Sequence, residues 1–254
     1  VTGFDPIIFD LDGTVVDTVE LIRVSFRHAS RTVLGEVLPD EVLLAGVGQP
    51  LMTQMRALDA RRAQELYDAY REHNHRVHDE LIAGFEGMEA ALGRLQAAQR
   101  RLAIVTSKSA DTTAMAFCAV GLREYFDVVV TAGDTTEHKP SAAPILLALE
   151  RLGAKSERAV YVGDAPVDVA AGKAAGVTTV AVAWGVFAPA ALAAAAPDFT
   201  VATPAALADL CLGGASQGAG TDPAHAASPG SAHAAGADPA HAAGTDPAHA
   251  AGRP

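Results

Sequence analysis

The sequence predicts an α/β fold, a doubly wound parallel sheet, with a small α-helical domain inserted near its start. Three observations carry that expectation. Short apolar runs recur at 7–9, 102–105, 127–131, 159–162 and 177–182. Each is too short for a helix and rich in β-branched residues, as strands buried on both faces of a sheet are. Helical patterns alternate with them, and such alternation with right-handed crossovers builds a parallel sheet. Residues 18–84, by contrast, hold no convincing strand, and 254 residues suffice for a main domain and a smaller one.

Taken in order, Pro6 opens the first strand, which stops at Asp10. Asp17-Thr18 then precede Val19, Leu21, Ile22, Val24, Ser25 and Phe26, an amphipathic helix with an N-cap. A helical segment over 43–55 is broken by Gly46-Val47-Gly48-Gln49-Pro50, and 61–81 is one long helical pattern. Phe85-Glu86-Gly87-Met88 reads as the return link, followed by a helix to about Gln99. The strand at 102–105 ends in Thr106-Ser107-Lys108, with Ser109 placed to cap the next helix. The strand at 127–131 leads to a loop carrying His138-Lys139-Pro140. Helix 142–152 then joins the strand that ends in Gly163-Asp164-Ala165-Pro166-Val167-Asp168. After 177–182 come Trp184-Gly185, an alanine-rich helix and a short sixth strand near 199–201.

These elements divide the chain into a main domain (1–17 and 85–212), a helical domain (18–84) and a tail (213–254). In the tail His225, His233, His241 and His249 recur every eight residues, Pro and Gly interrupt every unit, and large apolar residues are missing. It reads as a disordered low-complexity segment.

Chemistry concentrates at the strand ends. In extended chain, residues i and i+2 point the same way, so Asp10 and Asp12 face one small volume. Gly13 lets the backbone turn there, and Thr14 returns a hydroxyl to the same space. Two crowded carboxylates repel, and a divalent cation with oxygen ligands is the simplest compensation. Asp10, Thr106, Lys139 and Asp164 each lie at or just past a strand's carboxyl end, where doubly wound sheets bind their ligands. Around Thr106 to Ser109, hydroxyls and helix-start N–H groups make an anion site.

The pattern D-x-D-G-T at 10–14 resembles the first motif of the haloacid dehalogenase (HAD) superfamily of phosphotransferases. Thr106 matches its second motif, Lys139 its third, and G-D-x-x-x-D at 163–168 its fourth, a resemblance that runs from Pro6 to about Leu212. It implies a Rossmann-like core closed by a helical cap. Asp10 would be the nucleophile that forms an aspartyl-phosphate, and Asp12 the general acid and base. Thr106, with Ser107 beside it, and Lys139 would bind the phosphoryl oxygens. Mg²⁺ would be held by Asp10, Asp164 and the backbone carbonyl of Asp12, with Asp168 in support. The second Asp resembles the phosphatases of the superfamily more than its dehalogenases.

Within the superfamily the chain is most similar to phosphoglycolate phosphatases and to PpaX-type pyrophosphatases. The likeness rests on the loop 46–50, on Tyr70-Arg71-Glu72-His73-Asn74 and on Ala181-Val182-Ala183-Trp184-Gly185. It implies a small phosphorylated substrate, phosphoglycolate ahead of pyrophosphate, met from the cap by Gly48, Arg71, His73 and Asn74. A sugar phosphomutase and a catalytically silent binding protein rank below.

A net charge of −11 with no basic stretch argues against nucleic acid or an anionic membrane as partner. The two cysteines, Cys118 and Cys211, stand in unrelated contexts, which suits a reducing cytoplasm. The first residues lack the basic and apolar regions of a secretion signal. The uncharged run 177–197 is interrupted by Gly185 and Pro189, so no membrane span is expected. The assembly stays open between monomer and homodimer.

Overall fold

The computed structural model describes residues 3–214, so the histidine-bearing repeats expected to be disordered lie outside the described residues. Six strands form one parallel sheet: β1 (Ile7–Phe9), β4 (Leu102–Val105), β5 (Val128–Val130), β6 (Val160–Gly163), β7 (Thr178–Val182) and β8 (Phe199–Val201). Their order across the sheet is β5-β4-β1-β6-β7-β8. This matches the six runs read from sequence. In register, Ile7 stands between Leu102 on one side and Val160 on the other.

All three residues of β1 are fully buried, because helices cover both faces of the sheet. Ile7 and Phe9 point into one cluster, with Met88, Leu92 and Leu95 of α5 (Met88–Ala97) and Leu207 of α10 (Pro204–Leu212). Ile8 points into the other, with Ile145 and Leu149 of α7 (Ala143–Arg151) and Ala171 of α8 (Pro166–Ala174). Burying each such side chain is worth about 1.5–3 kcal/mol, so the run specifies its own place at the centre of the sheet.

The chain builds β4 and β5 on one side of β1 and then crosses to build β6, β7 and β8 on the other. That reversal opens a crevice at the carboxyl ends of the central strands. At the opposite edge, the Asp5 carboxylate accepts from Arg101 Nη2 at 2.8 Å and from the Arg101 backbone N–H at 3.0 Å, joining the approaches to β1 and β4.

Between β1 and α5 lies the helical block. Its main helices, α1 (Val19–Ala29) and α4 (Ala63–Leu81), pack along each other, with α2 (Asp40–Leu43) and α3 (Leu51–Leu58) between them in sequence. Phe26 meets Tyr70 edge-on at 4.8 Å, and Asn74 Nδ2 donates to Ser25 Oγ at 3.2 Å. These helices enclose a separate buried cluster drawn from residues 22–70.

Three local readings need correction. The root of the block is a short antiparallel ribbon of β2 (Val16–Asp17) and β3 (Ala83–Gly84), too short to carry a strand period. The first break-flanking helix begins at Asp40 rather than 43. Thr18 precedes α1 but makes no side-chain cap; the Asp17 carboxylate accepts from the Val19 N–H at 3.1 Å instead. No helix among the described residues is long and apolar enough to cross a membrane.

Candidate active site

Asp10 sits one residue past β1, yet its N–H still donates to the Val162 carbonyl at 2.8 Å. Thr106, one residue past β4, likewise donates to Val130 O at 2.9 Å. Both side chains are therefore held by the last rung of a ladder, and both are buried. Asp164 follows β6 directly. Lys139 comes from the long connection after β5, and its ammonium bridges Asp10 Oδ1 at 3.0 Å and Asp168 Oδ1 at 2.7 Å.

Asp10, Asp164 and Asp168 bring carboxylate oxygens within 4.8 Å of one another, all buried. One ammonium faces three carboxylates. Burial first, and the neighbouring carboxylates after it, push Asp10 well above the usual carboxylate range despite Lys139. Burial and Asp168 push Asp164 up to about 7. Burial would lower Lys139, but Asp10 and Asp168 outweigh it and hold the ammonium charged. Such a set of hard oxygen donors fits a divalent cation.

The two carboxylates beside Asp10 are not equivalent. Asp168, at the third position of α8, is engaged on both oxygens: Lys139 and the Tyr161 hydroxyl (3.4 Å) on Oδ1, and the Ala165 N–H (3.0 Å) on Oδ2. Asp164 accepts the Val186 N–H on Oδ2 at 2.7 Å, while its Oδ1 has only the Thr14 hydroxyl at 3.4 Å. Gly13 passes Asp164 with φ of 71°, and a Cβ there would collide with that carboxylate. No other residue type serves that turn.

A cavity of about 240 Å³ opens over Asp10. Asp10, Asp12, Thr106, Ser107, Lys108 and Lys139 line it from the sheet edge. Asp12 does not join the three-carboxylate group; its Oδ1 lies 2.6 Å from Lys108 Nζ. From the helical block come Gly48, Arg71 and Asn74. Gly48, with φ of 95°, brings its carbonyl to the Ser107 hydroxyl at 2.7 Å, and a Cβ there would strike Val167. The block therefore touches the sheet domain directly over the crevice.

A family model for haloacid dehalogenase-like hydrolases matches residues 7–182. The chain belongs to that family. Pyrophosphatase PpaX of Bacillus velezensis is 39% identical over 193 residues, covering 76% of this chain and 89% of that protein. Among solved structures, a predicted phosphatase from Clostridium acetobutylicum has a TM-score of 0.73 at 25% identity, covering 82% of this chain and 98% of that one. A predicted phosphoglycolate phosphatase from Haemophilus somnus has a TM-score of 0.71 at 23% identity, covering 82% and 97%, a likeness of fold.

Of the residues expected to reach this HAD hydrolase's cavity from the helical block, His73 does not. Two positions after Arg71 it lies roughly 200° around the helix, where it stacks on His28 at 4.3 Å and lines a separate depression. His75, which was not singled out, does line the cavity, and its spacing of four from Arg71 was the available signal. Lys108 and the Val186 N–H also had no role in the sequence reading. Lys108 stood beside Thr106 and Ser107 in plain view. A backbone donor from another loop leaves no trace in residue type.

Proposed function

We propose that this HAD hydrolase is a Mg²⁺-dependent phosphohydrolase acting through an aspartyl-phosphate on Asp10. The observation that carries the reading is Asp10 itself: a buried carboxylate at the floor of a cavity, 3.0 Å from a buried lysine, with a second carboxylate two residues on lining the same space. Phosphoryl transfer asks for an in-line nucleophile and neutralisation of spreading charge. Asp10 supplies the nucleophilic oxygen, and Lys139 and Thr106 meet the non-bridging oxygens. Asp12, on the cavity wall, protonates the leaving oxygen and then takes the proton of the attacking water.

Asp10 and Asp164 would hold the Mg²⁺, with the Asp12 carbonyl, and Asp168 would brace Lys139 and the loop at Ala165. Bound there, the ion neutralises the carboxylates and the phosphoryl charge. Residues 18–84 act as the cap, and the sheet domain with 85–212 as the core. Gly48 and Ser107 join the two over the bound substrate.

The similarity to PpaX favours pyrophosphate as the substrate, and a small cavity suits it. 2-Phosphoglycolate is the second reading, favoured by the same cavity with a cationic wall. A cytoplasmic location goes with either. Phosphate release in Mg²⁺ from both compounds, with Asp10→Asn beside the wild type, tests the reading. Turnover abolished by Asp10→Asn supports it, and turnover that survives the substitution removes Asp10 from the chemistry.

A further inference from the structure

The loop 184–187, which follows β7, reaches three parts of the molecule at once. Its first residue, Trp184, donates its indole N–H to the Thr14 carbonyl at 3.1 Å. The same ring meets Phe85 edge-on at 6.1 Å. Thr14 lies on the way out from β1 to the helical block, and Phe85 on the way back. One indole therefore touches both links between the core and the cap. At the other end of the loop, Val186 and Phe187 pack against the buried cluster of the helical block itself.

The third contact is Asp164. Gly185 lies so close that a Cβ there would collide with the Asp164 carboxylate. The Val186 N–H donates to Oδ2 at 2.7 Å, and the Thr14 hydroxyl donates to Oδ1 at 3.4 Å. Among the described residues these are the donors that orient Asp164, and the loop governs both. One is its own backbone; the other belongs to the residue that Trp184 holds. Asp168 differs, because its donors Lys139, Tyr161 and the Ala165 N–H all come from the core. Asp10 likewise has Lys139. Of the three clustered carboxylates, Asp164 is thus the one whose donors depend on a loop seated on the cap. Partners that hydrogen-bond a metal-holding carboxylate fix its orientation, and losing one costs about 10–100-fold in metal affinity.

We propose that the loop 184–187 couples the seating of the cap to the divalent-cation site. Phe187 senses the cap, Trp184 senses its two links, and together they hold Asp164 in the orientation that binds the ion. This rests on the reading of Asp10 and Asp164 as holders of Mg²⁺ given above. It adds a reason for the ion to bind tightly only when the cap is in place. Such linkage is reciprocal, so the ion also favours the seated cap.

The test is Mn²⁺ binding by the intact protein, with free Mn²⁺ read by electron paramagnetic resonance, since carboxylate sites that take Mg²⁺ also take Mn²⁺. Asp164→Ala identifies the site as the binding it abolishes. Phe187→Ala removes the cap contact, and Trp184→Phe removes the indole N–H while keeping a ring beside Phe85. Each should raise the Mn²⁺ Kd about tenfold or more. Phe187→Leu, which keeps an apolar side chain on the cap, should recover most of the affinity. Thr14→Val should cost a factor similar to Trp184→Phe, and the double variant little more than either, because the indole acts through Thr14. Unchanged Mn²⁺ affinity in Phe187→Ala overturns the coupling, even where Trp184→Phe weakens binding. Losses from Trp184→Phe and Thr14→Val that simply multiply overturn it too, because Trp184 then acts elsewhere. Wild type that binds no Mn²⁺ at Asp164 brings down the metal reading and this one together. The expected Mn²⁺ losses in a protein that hydrolyses neither pyrophosphate nor 2-phosphoglycolate support the coupling and bring down the phosphohydrolase reading alone.

Discussion

The sheet edge and the inner face of α4 line the same cavity, but they are built by different rules. At the sheet edge, Asp10, Thr106, Lys139 and Asp164 come from four separated segments; Asp10, Thr106 and Asp164 directly follow the strands that fix them, and Lys139 reaches in from the connection after β5. Charges there are buried and mutually dependent: one lysine holds two carboxylates, and a third leans on a loop N–H. On α4, Tyr67, Arg71, Asn74 and His75 come from one helix, and helical phase alone decides which of them face inward. The edge should fail as a unit when any member is lost. The helix face should respond in steps, changing which substrate is preferred.

The largest effect expected is at the edge. Asp10→Asn keeps the shape and removes the proposed nucleophile, and should lower kcat by about 10⁴-fold or more in a phosphate-release assay. Next is Lys139→Met, which leaves Asp10 and Asp168 buried without their cation. Breaking a buried pair by removing one partner costs about 3–5 kcal/mol, so urea denaturation in the presence of a chelator should show a loss of that order. A variant as stable as the wild type would mean that the carboxylate cluster does not depend on its lysine, and the contrast between edge and helix would lose its basis.

The same contrast explains how much of the molecule was legible. Strands of the sheet announced themselves because three or four apolar residues in a row have few other uses, and Asp10, Thr106 and Asp164 followed from where those strands stop, whereas Lys139 lies nine residues past β5 and was reached through the motif resemblance. The ribbon of β2 and β3 did not, since two residues per strand carry no period. On α4, the pentapeptide from Tyr70 to Asn74 drew attention as a string, whereas the structure sorts it by angle. Arg71 and Asn74 turn inward, and His73 turns to His28. Long-range partners were the least visible. Nothing in the residue types said that the Val186 N–H would meet Asp164, or that Lys108 would meet Asp12.

A third substitution probes the seam between the two regions. Ala at Gly48 forces a side chain into backbone at φ of 95° and into Val167, a strain of about 1–3 kcal/mol. The loop 46–50 must then withdraw from Ser107. The expected result is a KM raised about tenfold with kcat lowered much less, equivalent to about 1.4 kcal/mol of binding. A fall in kcat as deep as that of Asp10→Asn would show that the seam belongs to the edge's all-or-none unit.

The smallest effect lies at the far edge of the sheet, where a charge serves the fold and no chemistry. Burial pushes Asp5 up, but hydrogen bonds and charge from Arg101 outweigh it, so its carboxyl titrates below the usual range. A folded pKa below the unfolded value of about 3.9 means the folded protein binds fewer protons between the two. Its stabilisation is then complete above about pH 3.9 and is lost as pH falls through the folded pKa. The pair is partly exposed and screened, so the contribution is at most about 1 kcal/mol. Urea midpoints at pH 6 and pH 3 should fall further for wild type than for Asp5→Asn, while the kinetics of the two proteins match. Equal falls would mean the pair gives the sheet no acid-sensitive support. A kinetic difference would mean that the two ends of the strands communicate, and the site could no longer be treated as a property of their carboxyl ends alone.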